Sequence, residues 1–327
     1  MAAVLKADFY GLGAVPVAAR LYAEGCRHVF VAQLAEAVAL RDIVPDAMLA
    51  VLGGLLPGDE PIHTARNIVP VLGSVEEIDR WAAHARAVGR TLPALLHVDT
   101  GMNRLGLPPD EFFAMTGTRL RGIDVLYVMT HLLDAERPDN AANARQLAAL
   151  TAVVGHRPDR TSFANSSGLF LGDAFGSDLA RPGAALAGIN PTPENSHPLR
   201  PVARLTARVL QLRTILAGST VGYRATWTAA RETRIATVGI GYADGWPVSL
   251  SNRGRASLDG CSLPLVGRVS MDLTLFDATD APAIRAGDMV ELIGPSIPLE
   301  RVAQDADTTP YEILTRLGRR ITRTYHG

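Results

Sequence analysis

Lys6 is the residue whose type and position most clearly suggest covalent chemistry. It is the single lysine among 32 lysine and arginine residues. Arginine stays protonated in proteins, whereas a buried lysine amine can lose its proton and attack a carbonyl carbon. Lys6 follows the apolar run Ala2–Leu5 and precedes a segment that contains Gly11 and Gly13. This arrangement predicts a nucleophilic amine at the end of a strand, although a lysine retained there by chance fits the same pattern.

Further polar residues follow the ends of other apolar segments. In a barrel of alternating strands and helices, the carboxyl ends of the strands carry the active site. The residues at or after strand ends are Lys6, Tyr10, His97, Asp99, Arg104, His131, Asn165 and Ser166, and two more, Arg181 and Gly183, lie within the eighth segment. Each alone has a structural interpretation, since His131 could be a core histidine, Arg181 an ion-pair partner and Asn165 a helix N-cap. Together they predict a site for an anionic, planar ligand.

The lysine suggests two classes of chemistry. Its deprotonated amine could form a Schiff base with a sugar aldehyde or ketone, as in an aldolase. It could instead hold pyridoxal phosphate (PLP), which accepts electrons from a carbanion on a bound amino acid. The segment Asn165–Gly168 precedes a short predicted helix, and backbone N–H groups at a helix start can bind a phosphate.

A repeated alternation of strands and helices positions these residues in the first part of the chain. Eight predicted strands with helical segments between them are typical of a (β/α)8 barrel. The strands are Ala2–Leu5, His28–Ala32, Met48–Gly53, Ile68–Leu72, Ala94–Asp99, Val125–His131, Arg160–Asn165 and Leu179–Gly188, and the helices include Gln33–Asp42, Val75–Val88, Pro109–Thr116 and Asn140–Val154. A doubly wound open sheet also fits, but no G-x-G-x-x-G follows the first strand.

The pattern changes after the segment Asn190–Pro193. Short β-type segments separated by Gly, Pro and Asp then dominate, which predicts an all-β domain. The segments are Ala203–Leu212, Thr233–Ile240, Ala256–Leu258, Leu263–Val269, Leu273–Asp277 and Met289–Ile293, followed by a helix over Pro310–Leu317. We therefore predict a barrel domain over residues 1–195 and a C-terminal all-β domain over residues 196–327.

Composition indicates a globular protein that binds a small molecule. Hydrophobic residues make up 47% and charged residues 20% of the chain, and the net charge is −1, so a basic nucleic-acid surface is not expected. The two cysteines lack metal-site spacing and fit a reducing compartment. We find no apolar run of membrane-spanning length and no signal-like segment. These features predict a cytoplasmic protein without a metal site.

Seven segments, in order along the chain, resemble those of the alanine racemases, which are PLP enzymes of fold type III. One such segment alone would be weak evidence, whereas the ordered set is specific. The segments are Val4–Ala14, His97–Gly106, Ala180–Gly183 with Gly188–Pro191 after it, Val221–Trp227, Gly241–Gly245, Gly267–Asp272 and Tyr311–Leu314.

The resemblance implies a PLP-binding (β/α)8 barrel followed by a C-terminal all-β domain. It also implies a head-to-tail homodimer in which each active site is completed by the partner. Lys6 would hold PLP as a Schiff base and then serve as one acid/base group. The partner's Tyr223 would be the second, on the opposite face. Two bases on opposite faces can remove a proton from one side of a carbon and return it on the other.

The same resemblance implies roles for the other residues. His131 would lie beside the cofactor ring, and Arg181 would face its pyridine nitrogen without giving up a proton, since an arginine pKa exceeds about 12. The implied cofactor-binding residues are Lys6, Tyr10, His131, Asn165, Ser166, Arg181, Gly183 and Tyr311, and the implied substrate-binding residues are Arg104, Met271, Tyr242 and Asp272.

Two features depart from the family pattern. Many relatives carry a carbamylated lysine where this chain has His97, so we expect Arg104 to be held by an anion such as chloride or by His97 itself. Relatives also have a strand and helix before the PLP lysine, whereas this chain begins almost at Lys6. We therefore expect an exposed barrel edge, which is an aggregation risk.

The leading hypothesis is an alanine racemase that supplies D-alanine for peptidoglycan. A broad-specificity amino-acid racemase and an inactive, N-terminally truncated PLP-binding protein remain open as alternatives. A Schiff-base aldolase is disfavoured, because it gives no role to the β domain, to Tyr223 or to Arg181.

Overall fold

The chain forms two compact units in a computed structural model. The structure describes residues 1–115, 117–155, 160–192 and 198–326. The first unit comprises Met1–Phe9, Gly13–Leu186 and Asn190–Pro198, and the second comprises Tyr10–Leu12, Ala187–Ile189 and Leu199–Gly327. The predicted boundary between residues 195 and 196 lies outside the described residues and stays a prediction.

The first unit is built on a parallel sheet whose strands follow the order of the chain. The strands are β1 (Ala3–Val4), β2 (His28–Val31), β3 (Met48–Val51), β4 (Ile68–Leu72), β5 (Leu92–His97), β6 (Ile123–Met129) and β7 (Thr161–Ser162). The helices between them are α1 (Ala14–Ala23), α2 (Leu34–Leu40), α3 (Glu60–Ala65), α4 (Val75–Val88), α5 (Pro109–Ala114) and α6 (Ala141–Val154). This alternation confirms the predicted α/β class, and the predicted bounds of α4 are confirmed.

A segment without regular strand geometry closes this sheet into a barrel. Val4 of β1 donates a backbone hydrogen bond to the carbonyl of Pro182 at 2.9 Å, and Leu179 donates to the carbonyl of Thr161 in β7 at 3.1 Å. The segment therefore lies between β7 and β1, where the eighth strand was predicted. Pro182 has no N–H to donate, so regular pairing cannot continue through it. The expected exposed edge at β1 is wrong, because β1 is hydrogen-bonded on both sides.

Two apolar layers hold the barrel together. The interior contains inward-facing side chains such as Val4, Phe30, Val71 and Leu95, all of them buried. Helix α4 begins at the N-cap Ser74, whose hydroxyl accepts the N–H of Glu77, and ends at the left-handed Gly89. Its Trp81 belongs to a second cluster, outside the strands, which packs the helices against the barrel wall. This packing fixes the ends of the strands, which carry the polar residues at the barrel mouth.

The second unit is an antiparallel β domain, as predicted. Its strands are β8 (Leu205–Ile215), β9 (Thr220–Val221), β10 (Trp227–Thr228), β11 (Thr233–Val238), β12 (Arg255–Leu258), β13 (Cys261–Pro264), β14 (Thr274–Asp277) and β15 (Met289–Ile293). One sheet has the order β13-β12-β15-β8-β11-β14, and β9 pairs with β10. Helices α7 (Leu299–Asp305) and α8 (Pro310–Arg316) follow the sheet. Across the described parts of both units, every helix is too short or too polar to cross a membrane.

Candidate active site

Lys6 lies at the start of a left-handed turn that follows β1. Ala7, Asp8, Phe9 and Tyr10 all have φ between 50° and 55°. This conformation costs on the order of 1–2 kcal/mol per residue for L-amino acids. Such strain persists only where surrounding contacts enforce it, and it is concentrated at functional sites. The turn redirects the chain directly after Lys6, so the lysine stands at the carboxyl end of β1.

Two carboxylates brace this turn. Glu36 accepts the backbone N–H of Ala7 at 2.6 Å, and its other oxygen accepts the N–H of Ala32 at 2.8 Å. Asp8 accepts the N–H of Ala14 at 2.7 Å, at the first residue of α1. The strained backbone is thus tied to elements on both sides of it. Glu36 was not predicted from the sequence, because its contact with Ala7 spans 29 residues.

The electrostatic surroundings of Lys6 favour a neutral amine. Burial lowers the pKa of Lys6, the nearby Arg104 guanidinium lowers it further, and Glu36 opposes the shift. A lowered pKa increases the fraction of amine that can act as a nucleophile near neutral pH. The predicted nucleophile therefore lies in the environment that its chemistry requires.

Arg181 is a buried cation at the same end of the barrel. Its side chain is only 3% exposed. Nη1 donates to the hydroxyl of Ser162, and Nη2 donates to the carbonyl of Thr130 at 2.6 Å. Burial lowers the pKa of Arg181 to about 10, so the group remains charged at neutral pH. Arg181 was predicted from the sequence, whereas Ser162 and Thr130 were not, because they lie at or after strand ends without a distinctive motif.

His131 and His97 are neutral groups among these cations. Burial, reinforced by Arg181, lowers the pKa of His131 to about 3 and that of His97 to about 4. Lys6 and Arg104 also lower the pKa of His131. The structure therefore brings five of the predicted site residues of the first unit into one electrostatic neighbourhood.

The loop after β5 is shaped by Asp99. Its carboxylate accepts the backbone N–H groups of Gly101, Met102 and Asn103 at 2.8–2.9 Å. This turn holds the loop that carries Arg104. His97 and Arg104 line a common cleft with Glu77, which comes from the carboxyl side of β4. The expected support of Arg104 by His97 or by an anion stays a prediction.

Ser166 connects the end of β7 to the segment that closes the barrel. Its hydroxyl oxygen accepts the backbone N–H groups of Gly183 and Ala185 at 3.0 and 3.1 Å. The side-chain oxygen of Asn165 accepts the N–H of Gly168 at 2.8 Å and caps the short 3₁₀ helix Ser167–Phe170. The predicted phosphate-binding residues of the first unit are therefore close together.

Two tyrosines predicted to bind the cofactor are neighbours within the second unit. The ring centroids of Tyr10 and Tyr311 lie 6.1 Å apart. Burial raises the pKa of Tyr10 to about 12, so its hydroxyl stays protonated and can donate a hydrogen bond. Gly11 follows in a left-handed conformation, and a Cβ at this position would lie 2.3 Å from the carbonyl oxygen of Leu314. Only glycine fits this approach to α8.

The second unit presents the remaining predicted residues at its surface. Tyr223 is 69% exposed and lies in a turn where Arg224 has φ 65°. Tyr242 and Met271 are also exposed, and the backbone of Ala243 donates to the carbonyl of Met271 at 2.9 Å. The structure thus brings Tyr242 and Met271 together. Asp272 forms an ion pair with Arg320 at 2.7 Å.

Both units are similar to domains of known proteins. A family model described as the N-terminal domain of alanine racemase matches residues 1–191, and one described as its C-terminal domain matches residues 202–325. The alanine racemase of Acidiphilium cryptum is 53% identical over 99% of this chain and 91% of that protein. The catabolic alanine racemase of Agrobacterium fabrum is 48% identical over 99% of this chain and 85% of that protein.

Solved structures give the same result. The alanine racemase of Bartonella henselae, described with covalently bound pyridoxal phosphate, has a TM-score of 0.96 and 43% identity, over 99% of this chain and 92% of that one. The biosynthetic alanine racemase of Pseudomonas aeruginosa has a TM-score of 0.92 and 32% identity, over 100% of this chain and 92% of that one. The similarity therefore covers both the fold and nearly the whole sequence.

Proposed function

The chain belongs to the alanine racemase family, and from this premise we propose that it interconverts L-alanine and D-alanine with PLP as its cofactor. The enzyme is thus an isomerase. One observation carries the proposal most directly: Lys6, His131 and Arg181 share one buried electrostatic neighbourhood at the mouth of a (β/α)8 barrel. Such a mouth is where enzymes of this architecture place their catalytic groups.

The residues present fit PLP, which offers an aldehyde, a pyridine nitrogen and a phosphate. Lys6 supplies an amine whose pKa is lowered by burial, as a covalent bond to an aldehyde requires. Arg181 is fixed by Ser162 and Thr130, and a guanidinium carries N–H donors suited to a ring nitrogen. The Ser166 hydroxyl accepts two backbone N–H groups and has its own proton for a phosphate oxygen. The roles of Tyr10 and Tyr311 at the phosphate stay predictions.

The proton transfers are assigned to two residues of the protein. PLP, when bound, accepts electron density from the carbon that loses its proton. The Lys6 amine takes up or returns a proton on one face of that carbon. Arg181 keeps its own proton at neutral pH, because even its lowered pKa of about 10 leaves it charged. It therefore orients the cofactor ring by hydrogen bonding and does not act as an acid.

We assign proton transfer on the opposite face of the same carbon to the partner's Tyr223, in a homodimer whose active sites are shared between protomers. The exposed position of Tyr223 supports this assignment, since a phenol at a protein surface can reach a second chain. Tyr242 and Met271 are large hydrophobic residues exposed at the surface, and such residues are often buried in a protein–protein interface.

Substrate recognition is assigned to both units. Arg104 carries the charge that would bind the carboxylate of alanine, and the Asp99 turn orients its loop. Tyr242 and Met271 would limit the pocket to a methyl side chain. The role of Asp272 at the substrate stays a prediction, because the ion pair with Arg320 already engages its carboxylate. We further propose that the enzyme works in the cytoplasm and that its D-alanine enters peptidoglycan.

The direct test is D-alanine formation by the purified chain in the presence of PLP. We expect L-alanine to be converted to a racemic mixture, and Lys6→Ala to abolish both conversion and the yellow colour of the bound cofactor. Lys6→Arg is the matched control, because it keeps a positive charge but supplies no deprotonated amine. Faster racemisation of bulkier amino acids would favour the broad-specificity alternative. A yellow protein that racemises no amino acid would contradict the proposal.

A further inference from the structure

We propose that Gln146 is a positioning residue for racemisation, because its buried amide ties together the two loops that carry Arg104 and His131. The inference deepens the proposed function and rests on it. Gln146 has no part in the motifs that resemble the family, and it touches neither of the two assigned bases. It acts on the reaction through the residues that it holds.

The hydrogen bonds of Gln146 leave its amide only one orientation. Gln146 lies in the second turn of α6 and is buried, with 2% of its surface exposed. Its Oε1 atom accepts the backbone N–H of Leu133 at 2.8 Å. Its Nε2 atom donates to the carbonyl of His131 and to the hydroxyl of Thr100, both at 3.0 Å. A flipped amide would place oxygen against the His131 carbonyl and N–H against the Leu133 N–H.

Through Thr100 the amide reaches the buried cation of the site. The hydroxyls of Thr100 and Thr130 lie 2.8 Å apart. Thr130 precedes His131 and accepts Arg181 Nη2 at its carbonyl. Gln146 is therefore linked by hydrogen bonds to the hydroxyls of Thr100 and Thr130, and the Thr130 backbone connects this pair to Arg181. These contacts hold the loop after β5 and the loop after β6 in a fixed position relative to each other.

The helix that carries Gln146 is itself fixed to the same loop. Asn140 caps α6 by accepting the N–H of Ala142 at 2.9 Å. Asn143 is 1% exposed, and its Nδ2 donates to the carbonyl of Arg137 at 3.0 Å. A group mounted on a rigid, capped helix positions its partners better than one on a loop. The position of the His131 backbone at the barrel mouth is therefore fixed by its hydrogen bond to Gln146 on α6.

Two substitutions of Gln146 separate the loss of its hydrogen bond to His131 from the loss of all three of its hydrogen bonds. In Gln146→Glu, a carboxylate keeps the bond from Leu133 N–H, and the Thr100 hydroxyl can rotate to donate to it. It cannot donate to the His131 carbonyl, so that bond alone is replaced by repulsion. In Gln146→Met, the length and volume of the side chain are retained and all three hydrogen bonds are lost.

The test compares these variants as PLP-loaded enzymes with wild type and with Gln211→Glu. Gln211 is exposed in β8 of the second unit, so its variant controls for an added negative charge. We expect both Gln146 variants to fold and to bind PLP. Displacing a catalytic neighbour by about 1 Å can cost roughly 100-fold in rate. We therefore expect kcat to fall about 10- to 100-fold with KM changed less than about threefold, and the visible circular dichroism of the cofactor to change.

The pH profile distinguishes positioning from simple stability. Gln146→Glu introduces a carboxylate next to the backbone carbonyl of His131, and a nearby negative charge favours the protonated form of titrating groups, so the acid limb of kcat should move to higher pH in Gln146→Glu and not in Gln146→Met. The inference is overturned if both variants match wild type in kcat, dichroism and pH profile. It is also overturned if the activity loss only follows the loss of folded, PLP-loaded enzyme. An inactive wild type and an inactive Gln211→Glu would instead overturn the proposed function.

Discussion

Burial is the main cause of the neutral state of the two imidazoles at the barrel mouth. His131 and His97 have pKa values lowered to about 3 and about 4, and Arg181 is the next contributor in each case. Arg181 therefore supplies positive charge at this end of the barrel while both histidines remain uncharged at neutral pH. Neutral imidazoles can relay hydrogen bonds without adding to the repulsion among Lys6, Arg104 and Arg181.

This neutrality predicts how His131 contributes to acid sensitivity. An unfolded histidine has a pKa of about 6.5, whereas burial lowers the pKa of folded His131 to about 3. Between these values the unfolded chain binds more protons, so stability falls as the pH drops below 6.5. We expect His131→Asn to lose less stability than wild type between pH 6.5 and pH 4. Urea unfolding of the borohydride-reduced, PLP-loaded enzyme measures this without release of the cofactor.

The matched control for this measurement is His326→Asn. His326 is exposed near the end of the chain, so its replacement should leave the pH dependence of stability unchanged. An equally steep loss of stability in wild type and His131→Asn would show that His131 titrates normally in the folded protein. That result would contradict the assignment of His131 as a buried, neutral imidazole.

At the scale of elements, the left-handed turn after Lys6 carries a conformational cost. Four consecutive L-residues adopt positive φ there, which L-residues disfavour. Glu36 offsets part of this cost, since one carboxylate accepts Ala7 on the turn and Ala32 and Gln33 at the start of α2. The residues at the start of α2 thereby help to hold Lys6, the lysine that we propose binds the cofactor, in place.

We expect Glu36→Gln to weaken PLP binding. The Gln amide nitrogen must face a backbone N–H, so at least one hydrogen bond to the turn or to α2 is lost, at a cost of about 1–3 kcal/mol. Titration of the apo-enzyme with PLP, followed by visible absorbance, should give a weaker apparent affinity than wild type.

Glu24→Gln provides the control for this substitution. Glu24 forms an exposed pair with Arg20, and such surface pairs contribute little to stability. It should bind PLP as wild type does. Wild-type affinity in Glu36→Gln would mean that the left-handed turn is maintained by packing of Phe9 and Tyr10 and not by the carboxylate.

The elements themselves were largely predictable, and the exceptions have physical reasons. Apolar segments such as Ile68–Leu72 form buried strands, and this one was predicted at its observed bounds. Helices α1 and α3 were missed, and each contains a proline in its first turn, where proline is tolerated but resembles a breaker. The left-handed turn was missed because Ala, Asp, Phe and Tyr carry no local signal for positive φ.

The hydrogen-bond partners of the candidate site residues were harder to predict from the sequence than the candidate residues themselves. Lys6 and Arg181 were found from residue type and position. The contacts of Glu36 with Ala7 and of Gln146 with Thr100 join residues 29 and 46 positions apart. Such contacts depend on the folded barrel, so neither periodicity nor a short motif reports them.

At the scale of the whole molecule, the assigned catalytic groups belong to different units. Lys6 lies in the first unit with Arg104, His131 and Arg181, whereas Tyr223 lies in the second. Each unit has its own apolar core, so each can hold its part of the site rigidly. If the partner's Tyr223 completes the site of each protomer, then one functional site draws on two chains.

This arrangement makes complementation between two inactive variants possible. Lys6→Ala lacks the amine and Tyr223→Phe lacks the phenol, so each homodimer should be inactive. A mixed dimer has one barrel with Lys6 intact, and that barrel meets the intact Tyr223 of the other protomer. Random exchange makes half of the dimers mixed, each with one active site of two, so we expect about a quarter of wild-type activity after equal mixing.

The measurement is D-alanine formation after the two variants are mixed, dissociated under mild denaturing conditions and reassociated with PLP. Wild-type enzyme that is dissociated and reassociated in the same way is the control for recovery during handling, and each variant treated alone is the control for residual activity. If Tyr223 instead served the barrel of its own chain, every site in a mixed dimer would lack one base. No activity would then return at any mixing ratio, and the shared-site proposal would be wrong even though the chain is a racemase.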